Sequence, residues 1–220
     1  MKSHMIVIAI LVFAGVTGLL AQDAAMPLLL QGIVTDTDGT PIAGAVVEIW
    51  QTDVNGVYDH PGDSTPDELV DDFQYYGTAT TDEDGSYAFL TIKPGQYEPR
   101  PVHIHFKVKI EDETILTSQF YFAEDGTRAD PSILLEIEDL ETEEMGLLRV
   151  AIGDIVLDLN GRTGNELTPT ASQQEGPFYP VVEFAEYDNN LTDPQIDEDP
   201  EDVLITAGLE APVATEEPAE

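Results

Sequence analysis

The chain has 220 residues, 42% of them hydrophobic, which suffices for one domain of ordinary size with extensions. It contains no cysteine, and this excludes disulfides, thiolate metal sites, iron–sulfur clusters and cysteine nucleophiles. The net charge of −36 repels the phosphates of nucleic acids and of anionic membranes, so the sequence predicts neither partner.

Residues 1–21 have the composition of a signal peptide. Lys2 supplies a positive start, and Met5–Ala21 is an uncharged run rich in Ile, Val and Leu. This run is shorter than the roughly 20 residues that a membrane span needs. We therefore expect cleavage after Ala21 and export to the periplasm or the medium, with an uncleaved anchor as the alternative.

Residues 22–160 carry the pattern of an all-β domain. Short runs rich in β-branched and aromatic residues alternate with turn signals such as DTDGT, DVNG and DEDG. This spacing, without long helical periodicity, predicts an antiparallel β-sandwich. A short helix is a candidate at Pro131–Glu144. The predicted strands are, in chain order, LLLQGIVTD, AVVEIWQTD, GSYAFLTI, VHIHFKVKI, LTSQFYF and LLRVAIGDIVLDL.

Two segments follow the β pattern. Residues 161–192 are less periodic and contain Gly, Pro and aromatic residues, so we expect an extended C-terminal arm that packs on the sandwich. Residues 193–220 hold ten acidic residues, four prolines and no basic residue, a composition typical of a disordered tail. An acidic docking tail is the functional alternative.

The stretch KPGQYEPRPVHIHF, residues 93–106, holds two of the four histidines of the chain. Residues two apart in a strand point to the same face, so His103 and His105 project side by side. Ile104 and Phe106 then face the opposite way. Such a pair can hold a metal ion, or it can be a polar strand face with two hydrogen-bonded histidines.

Two tyrosines can complete a set of nitrogen and oxygen ligands. Tyr97 follows a KPG turn, and Pro99 and Pro101 stop ordinary strand pairing, so the chain can fold back toward the histidines. Tyr58 follows the DVNG turn after a predicted strand. Phenolates and imidazoles together suit ferric iron better than Zn²⁺ or Cu⁺. The alternative for either tyrosine is an aromatic residue of the core or its rim.

The sequence resembles the intradiol ring-cleaving dioxygenases, the family of protocatechuate 3,4-dioxygenase and catechol 1,2-dioxygenase. Four motifs in order carry the resemblance, which runs over about Gly32–Leu159: GIVTDTDGTPIAGAVVEIWQTDVNGVYDH, TATTDEDGSYAFLTIKPGQY, RPVHIHFKV and TSQFYF. In that family two tyrosines and two histidines hold a non-haem Fe(III). The resemblance assigns these ligands to Tyr58, Tyr97, His103 and His105.

The resemblance also implies an activity. A catechol-type ring would be cleaved by O₂ between its two hydroxyl-bearing carbons, giving a cis,cis-muconate-type product. Arg100 would stabilise charge that develops on the ring, and Gln119 would orient Arg100 or the substrate. Tyr97, displaced from the metal by substrate, would help to accept protons. The expected partners are a small aromatic diol and O₂, and the oligomeric state is left open.

One motif stands in an unexpected place. In the family, an element with GPFYP precedes the sandwich, whereas here TPTASQQEGPFYPV follows it. Either a circular permutation or a truncated second copy would explain this order. If the arm is permuted, four of its residues line the substrate pocket beside the metal: Gly176, Pro177, Phe178 and Tyr179.

Two other functions are compatible with parts of the sequence. A non-catalytic exported β-sandwich binding module fits the opening motif GIVTDTDGTPIAGAVVEI, but it has no need of the four ligands. A different metal enzyme, with only the histidine pair and a carboxylate, leaves both tyrosines unexplained. His60 follows Tyr58 by two residues and is not counted among the ligands.

Overall fold

The computed structural model describes residues 26–142, 146–159 and 167–192; the predicted leader and acidic tail lie outside this range. Ten strands form two sheets of five, and the predicted all-β sandwich is confirmed. The strands are β1 Pro27–Asp36, β2 Val46–Trp50, β3 Tyr76–Thr80, β4 Ser86–Ile92, β5 His103–Ile110, β6 Glu113–Phe122, β7 Leu134–Leu135, β8 Ile137–Thr142, β9 Gly146–Ile152 and β10 Ile155–Leu157.

The first sheet is built around β1. Strand β4 pairs with one edge of β1 in the antiparallel sense, while β9 and then β10 pair with the other edge in the parallel sense. Strand β8 lies outside β9 and is antiparallel to it. The sheets are therefore mixed, not purely antiparallel as predicted, because strands that are far apart in sequence pair without a hairpin to set their direction.

The last predicted strand is divided into β9 and β10 at Gly153–Asp154. The amide of Gly153 donates to the carbonyl of Gln31 at 2.8 Å, and Oδ1 of Asp154 accepts from the amide of Ile33 at 3.0 Å. A Cβ on Gly32 would lie 2.3 Å from the carbonyl oxygen of Gly153. Only glycine at position 32 therefore permits this close approach of two backbones.

Helical structure in the described ranges consists of four single 3₁₀ turns: Pro66–Glu68, Ala123–Asp125, Pro131–Ile133 and Phe184–Glu186. The helix considered at Pro131–Glu144 is wrong, because one turn capped by the Asp130 carboxylate leads directly into β7 and β8. Over the same ranges, none of these turns is long and apolar enough to cross a membrane.

The second sheet has the order β3-β2-β5-β6-β7 and carries the predicted histidines. Strand β5 sends Ile104, Phe106 and Val108 into the core between the sheets, where all three are fully buried. The ring of Phe106 stacks on Phe120 of β6 at 4.3 Å. The intervening residues of β5 therefore point to the outer face of this sheet.

The C-terminal arm, described from residue 167 onward, crosses this outer face. The amide of Thr170 donates to Val156 of β10 at 2.9 Å, and the amide of Gln173 donates to Thr117 of β6 at 2.9 Å. Near its end, the amide of Leu191 donates to Leu90 of β4 at 2.7 Å. The arm is thus held at both ends, and its middle lies over β5 and β2.

Candidate metal centre

Three donor atoms converge on the outer face of the second sheet. The hydroxyl of Tyr58 lies 3.1 Å from Nε2 of His103, and that atom lies 3.1 Å from Nε2 of His105. The three side chains are almost completely buried, with exposures of 4%, 4% and 3%. Neighbouring ligand atoms of one metal ion, each about 2.0–2.1 Å from the ion, are separated by distances of this size.

The protonation states of the two imidazoles suit metal binding. Nδ1 of His103 lies 2.6 Å from the carbonyl oxygen of Pro101 and donates to it, so Nε2 keeps its lone pair. Burial lowers the pKa of His103 to about 4 and that of His105 to about 2, so both rings are neutral at pH 7. Burial raises the pKa of the Tyr58 hydroxyl, and a bound cation would offset this effect by favouring the phenolate.

The turn after β2 delivers Tyr58 to the histidines. Oδ1 of Asp53 accepts from the amides of Asn55 at 2.8 Å and Val57 at 3.1 Å, which fixes the DVNG turn. Oδ2 of Asp63 accepts from the amide of Tyr58 at 2.9 Å. Two local carboxylates therefore hold the backbone that leads into the donor tyrosine and the amide of the tyrosine itself.

Tyr97 lies beside these donors and not among them. Its ring is 5.6 Å from the ring of Tyr58 and is only partly buried. Desolvation and the neighbouring Asp63 carboxylate raise the pKa of Tyr97. The structure places Nε2 of His103 within hydrogen-bonding distance of both the Tyr58 hydroxyl and Nε2 of His105. Tyr97, the fourth predicted ligand, contacts this group only through the ring of Tyr58.

Arg100 and Gln119 meet directly beside the histidines. Nη2 of Arg100 donates to Oε1 of Gln119 at 2.5 Å, and Gln119 stands opposite His105 in the pairing of β5 with β6. Nε2 of Gln119 donates to the carbonyl of Gln174 in the arm at 2.8 Å. Burial lowers the pKa of His103 and of His105, and the positive charge of Arg100 lowers both pKa values further. The charge of Arg100 is therefore felt at both imidazoles.

Two of the four predicted pocket residues touch the donors. Gly176 has a φ of +83°, and a Cβ at this position would lie 3.1 Å from Cε1 of His105. The ring of Phe178 lies 5.3 Å from that of Tyr58 and 5.5 Å from that of Tyr97. The middle of the arm therefore forms one wall of the candidate metal centre.

The other two pocket residues lie farther from the donors. Pro177 is exposed. Tyr179 packs edge-on against Trp50 at 5.0 Å, and its hydroxyl donates to Oε2 of Glu48 at 2.9 Å. Tyr179 thus reaches the donors only through Trp50.

The sequence analysis missed Trp50 and Lys107. The ring of Trp50 stacks on that of His105 at 4.7 Å, with the planes 4° apart. Lys107 continues the alternation of His103 and His105 along β5, and its Nζ lies 3.3 Å from the ring centroid of Tyr179. Extending the alternation by one step would have placed Lys107 on this face, whereas no local signal places Trp50 opposite His105.

His60 does not belong to the donor group. Its Nδ1 accepts from the amide of Gly62 at 3.0 Å, and its ring lies 5.5 Å from Phe178. Across the described ranges, no group of three or more His, Asp or Glu side chains is placed to hold a metal ion.

Comparison with known proteins identifies the family. A family model described as Dioxygenase matches residues 16–144. Chlorocatechol 1,2-dioxygenase of Pseudomonas sp. is 32% identical over 129 residues, which are 50% of this chain and 49% of that protein. The protocatechuate 3,4-dioxygenase beta chain of Burkholderia cepacia is 38% identical over 113 residues, which are 47% of this chain and 48% of that protein. This chain therefore spans about half the length of these curated relatives.

Solved structures show the same fold. The 3-chlorocatechol 1,2-dioxygenase of Rhodococcus opacus has a TM-score of 0.50 at 24% identity over 63% of each chain. An intradiol ring-cleavage dioxygenase of Tetranychus urticae has a TM-score of 0.50 at 20% identity, covering 66% of this chain and 87% of its own. The family model, which spans more than half of the 220 residues, confirms the resemblance seen in the motifs. The chain belongs to the intradiol ring-cleavage dioxygenase family.

Proposed function

We propose that this protein is a non-haem Fe(III) dioxygenase that cleaves a catechol-type ring between its two hydroxyl-bearing carbons. The product is of the cis,cis-muconate type, and because both atoms of O₂ enter it, the reaction needs no external reductant. The convergence of the Tyr58 hydroxyl with Nε2 of His103 and of His105 carries this proposal. The relatives named catechol and protocatechuate dioxygenases support it.

The donor set fits ferric iron. It comprises neutral imidazole nitrogens and phenol oxygen, and the chain has no cysteine to supply sulfur. Tyr58, Tyr97, His103 and His105 would hold the ion. When bound, Fe(III) would supply Lewis-acid activation of the aromatic diol toward O₂.

Residues of the chain would then handle charge, protons and water. Arg100, oriented by Gln119, would stabilise negative charge on the ring and on the product. The Tyr97 hydroxyl lies beside the Asp63 carboxylate, so this pair can hold and pass on a proton taken from the substrate. The ring of Phe178 packs against Tyr58 and would exclude water from the donor oxygen.

We propose a substrate without a carboxylate. The net charge of −36 repels anions at long range, although salt weakens this effect. Uncharged catechols are therefore expected to give faster oxygen uptake than protocatechuate at low ionic strength. The difference should narrow as salt is added.

Colour and iron content provide the decisive test. Protein reconstituted with ferric iron should be reddish, because phenolate-to-iron charge transfer absorbs visible light, and it should take up O₂ with catechols. Tyr58→Phe removes a single donor oxygen and should abolish the colour and the iron. Tyr76→Phe is the matched control, since Tyr76 is also buried but its hydroxyl donates to Asp59 at 3.1 Å, away from the donors.

A colourless protein that holds no iron would overturn the proposal. It would favour the alternative, a non-catalytic exported β-sandwich binding module. Export is part of both proposals and rests on the composition of residues 1–21. The mass of the protein recovered from the periplasm or the medium should correspond to a chain that begins at Gln22.

A further inference from the structure

The two imidazoles of the candidate metal centre are held in different ways. Nδ1 of His103 donates to the carbonyl of Pro101 at 2.6 Å, which fixes that ring. Nδ1 of His105 is buried and meets no hydrogen-bond partner among the residues that the structure describes. A metal-binding histidine ordinarily has such a partner, and the partner sets the orientation of the ring. For His105, packing must do this instead.

Trp50, the single tryptophan of the chain, supplies the packing surface. The register of β2 and β5 places it directly opposite His105, and the two rings lie 4.7 Å apart with their planes 4° from parallel. Trp50 is 1% exposed, so its ring cannot swing out to solvent. The indole therefore fixes the plane in which His105 presents its Nε2.

The arm closes the space at the edge of the same ring. A Cβ on Gly176 would lie 3.1 Å from Cε1 and 3.5 Å from Nε2 of His105. A side chain at this position would therefore crowd the donor nitrogen, and glycine keeps the arm clear of it. The ring of His105 is therefore packed by Trp50 on its face and approached by the arm at its edge.

The arm is attached on both sides of Gly176. Before it, Oε2 of Glu175 lies 2.5 Å from Nζ of Lys107, whose side chain is 9% exposed. After it, the ring of Tyr179 lies 3.3 Å from the same Nζ and packs edge-on against Trp50 at 5.0 Å. One buried ammonium group therefore holds both flanks of the segment that contacts His105.

We propose that Trp50 is a positioning residue for His105 and that the C-terminal arm, docked through Lys107, is an integral part of the metal site. The proposal rests on the proposed function in taking the metal to be ferric iron. Metal binding and arm docking then strengthen each other. Because such coupling is reciprocal, iron should lower the equilibrium population of the open arm by the same factor by which the docked arm raises iron affinity.

Hydrogen exchange and iron release test this without any measurement of turnover. In the wild-type protein, ferric iron should increase the protection of the Gln173 amide, which donates to Thr117 of β6. Lys107→Met should remove that increase and weaken iron binding, since loss of a supporting residue lowers metal affinity about tenfold to a hundredfold. Iron should then be lost to EDTA faster by a factor of about this size. Lys107→Arg, which keeps the charge, should recover most of both effects.

A second lysine provides a matched control. Like Lys107, Lys93 forms ion pairs and lies near an aromatic ring. Its acidic partners are Glu124 and Asp125, and its Nζ lies 5.1 Å from the ring centroid of Phe122, so its contacts are outside the arm. Lys93→Met should lose iron at the wild-type rate. At the stacked position, Trp50→Phe should release iron more slowly than Trp50→Leu, because only phenylalanine keeps a flat ring against His105.

The outcomes separate this inference from the proposed function. If the wild-type protein binds iron and Lys107→Met releases it no faster than Lys93→Met, the inference is wrong and the iron site stands. The same holds if iron leaves the exchange of the Gln173 amide unchanged. If the wild-type protein binds no iron, the proposed function is wrong, and the inference is overturned with it.

Discussion

Replacing Gly176 with alanine should open the arm and weaken metal binding together. Gly176 has a φ of +83°, a left-handed conformation that costs a residue with a Cβ about 1–2 kcal/mol. The new Cβ would also lie 3.1 Å from Cε1 of His105, whose ring cannot retreat because it is stacked on Trp50. A total of about 2 kcal/mol shifts the docking equilibrium of the arm by roughly 30-fold.

Gly126→Ala separates the backbone cost from the contact. Gly126 has a φ of +68°, yet its added Cβ would meet no atom within 4 Å. It follows the turn Ala123–Asp125, outside the arm. Both variants should lower the free energy of unfolding, but only Gly176→Ala should act on the arm and on His105.

Exchange of the Gln173 amide measures the docking of the arm, because this amide donates to Thr117 at 2.9 Å. In Gly176→Ala its protection should fall about 30-fold, and iron should be lost to a chelator correspondingly faster. Gly126→Ala should match the wild-type protein in both measurements. Equal exchange and equal iron loss in the two variants would refute the contact between the arm and His105.

Two further predictions concern stability. Tyr87→Phe should lower the free energy of unfolding by about 1–3 kcal/mol, measured in urea, because the buried Tyr87 hydroxyl donates to the carbonyl of Gly153; an unchanged value would contradict this. The metal-free protein should be destabilised on acidification. Burial lowers the pKa of His103 to about 4 and that of His105 to about 2, so an unfolded chain, which protonates them near 6.5, binds more protons below that pH. Their contribution to the free energy of unfolding is complete above pH 6.5 and is lost as the pH falls toward 4. Replacing both with asparagine should therefore make the free energy of unfolding depend less on pH between pH 7 and pH 5. Parallel pH profiles for the wild-type protein and this variant would contradict the prediction.

The alternation of residues along β5 was readable from the sequence. It predicted that His103 and His105 share a face and that Ile104 and Phe106 face the opposite way, and the structure confirms both. This succeeds because the two-residue repeat of a strand is a property of the local backbone. The tyrosines were assigned largely through the family motifs, since no repeat connects Tyr58 to a strand 45 residues later.

The support around His105 could not be read in this way. Trp50 and His105 are neighbours because β2 and β5 pair in one register, and that register depends on how the whole sheet packs. The arm likewise carries a recognisable GPFYP motif, but nothing in the motif states that Gly176 meets the edge of an imidazole. Such contacts arise between segments that are distant in the chain.

Composition, alternation and turn signals thus determined the class of fold, the absence of sulfur ligands and the identity of the paired histidines. These are local properties, and the sequence contains them directly. The tertiary structure alone decided the direction of β9 and β10, the distance of Tyr97 from the other donors, and the stacking of Trp50 on His105. Each of these depends on which distant surfaces pack together, and packing of that kind leaves no periodic signal in a single sequence.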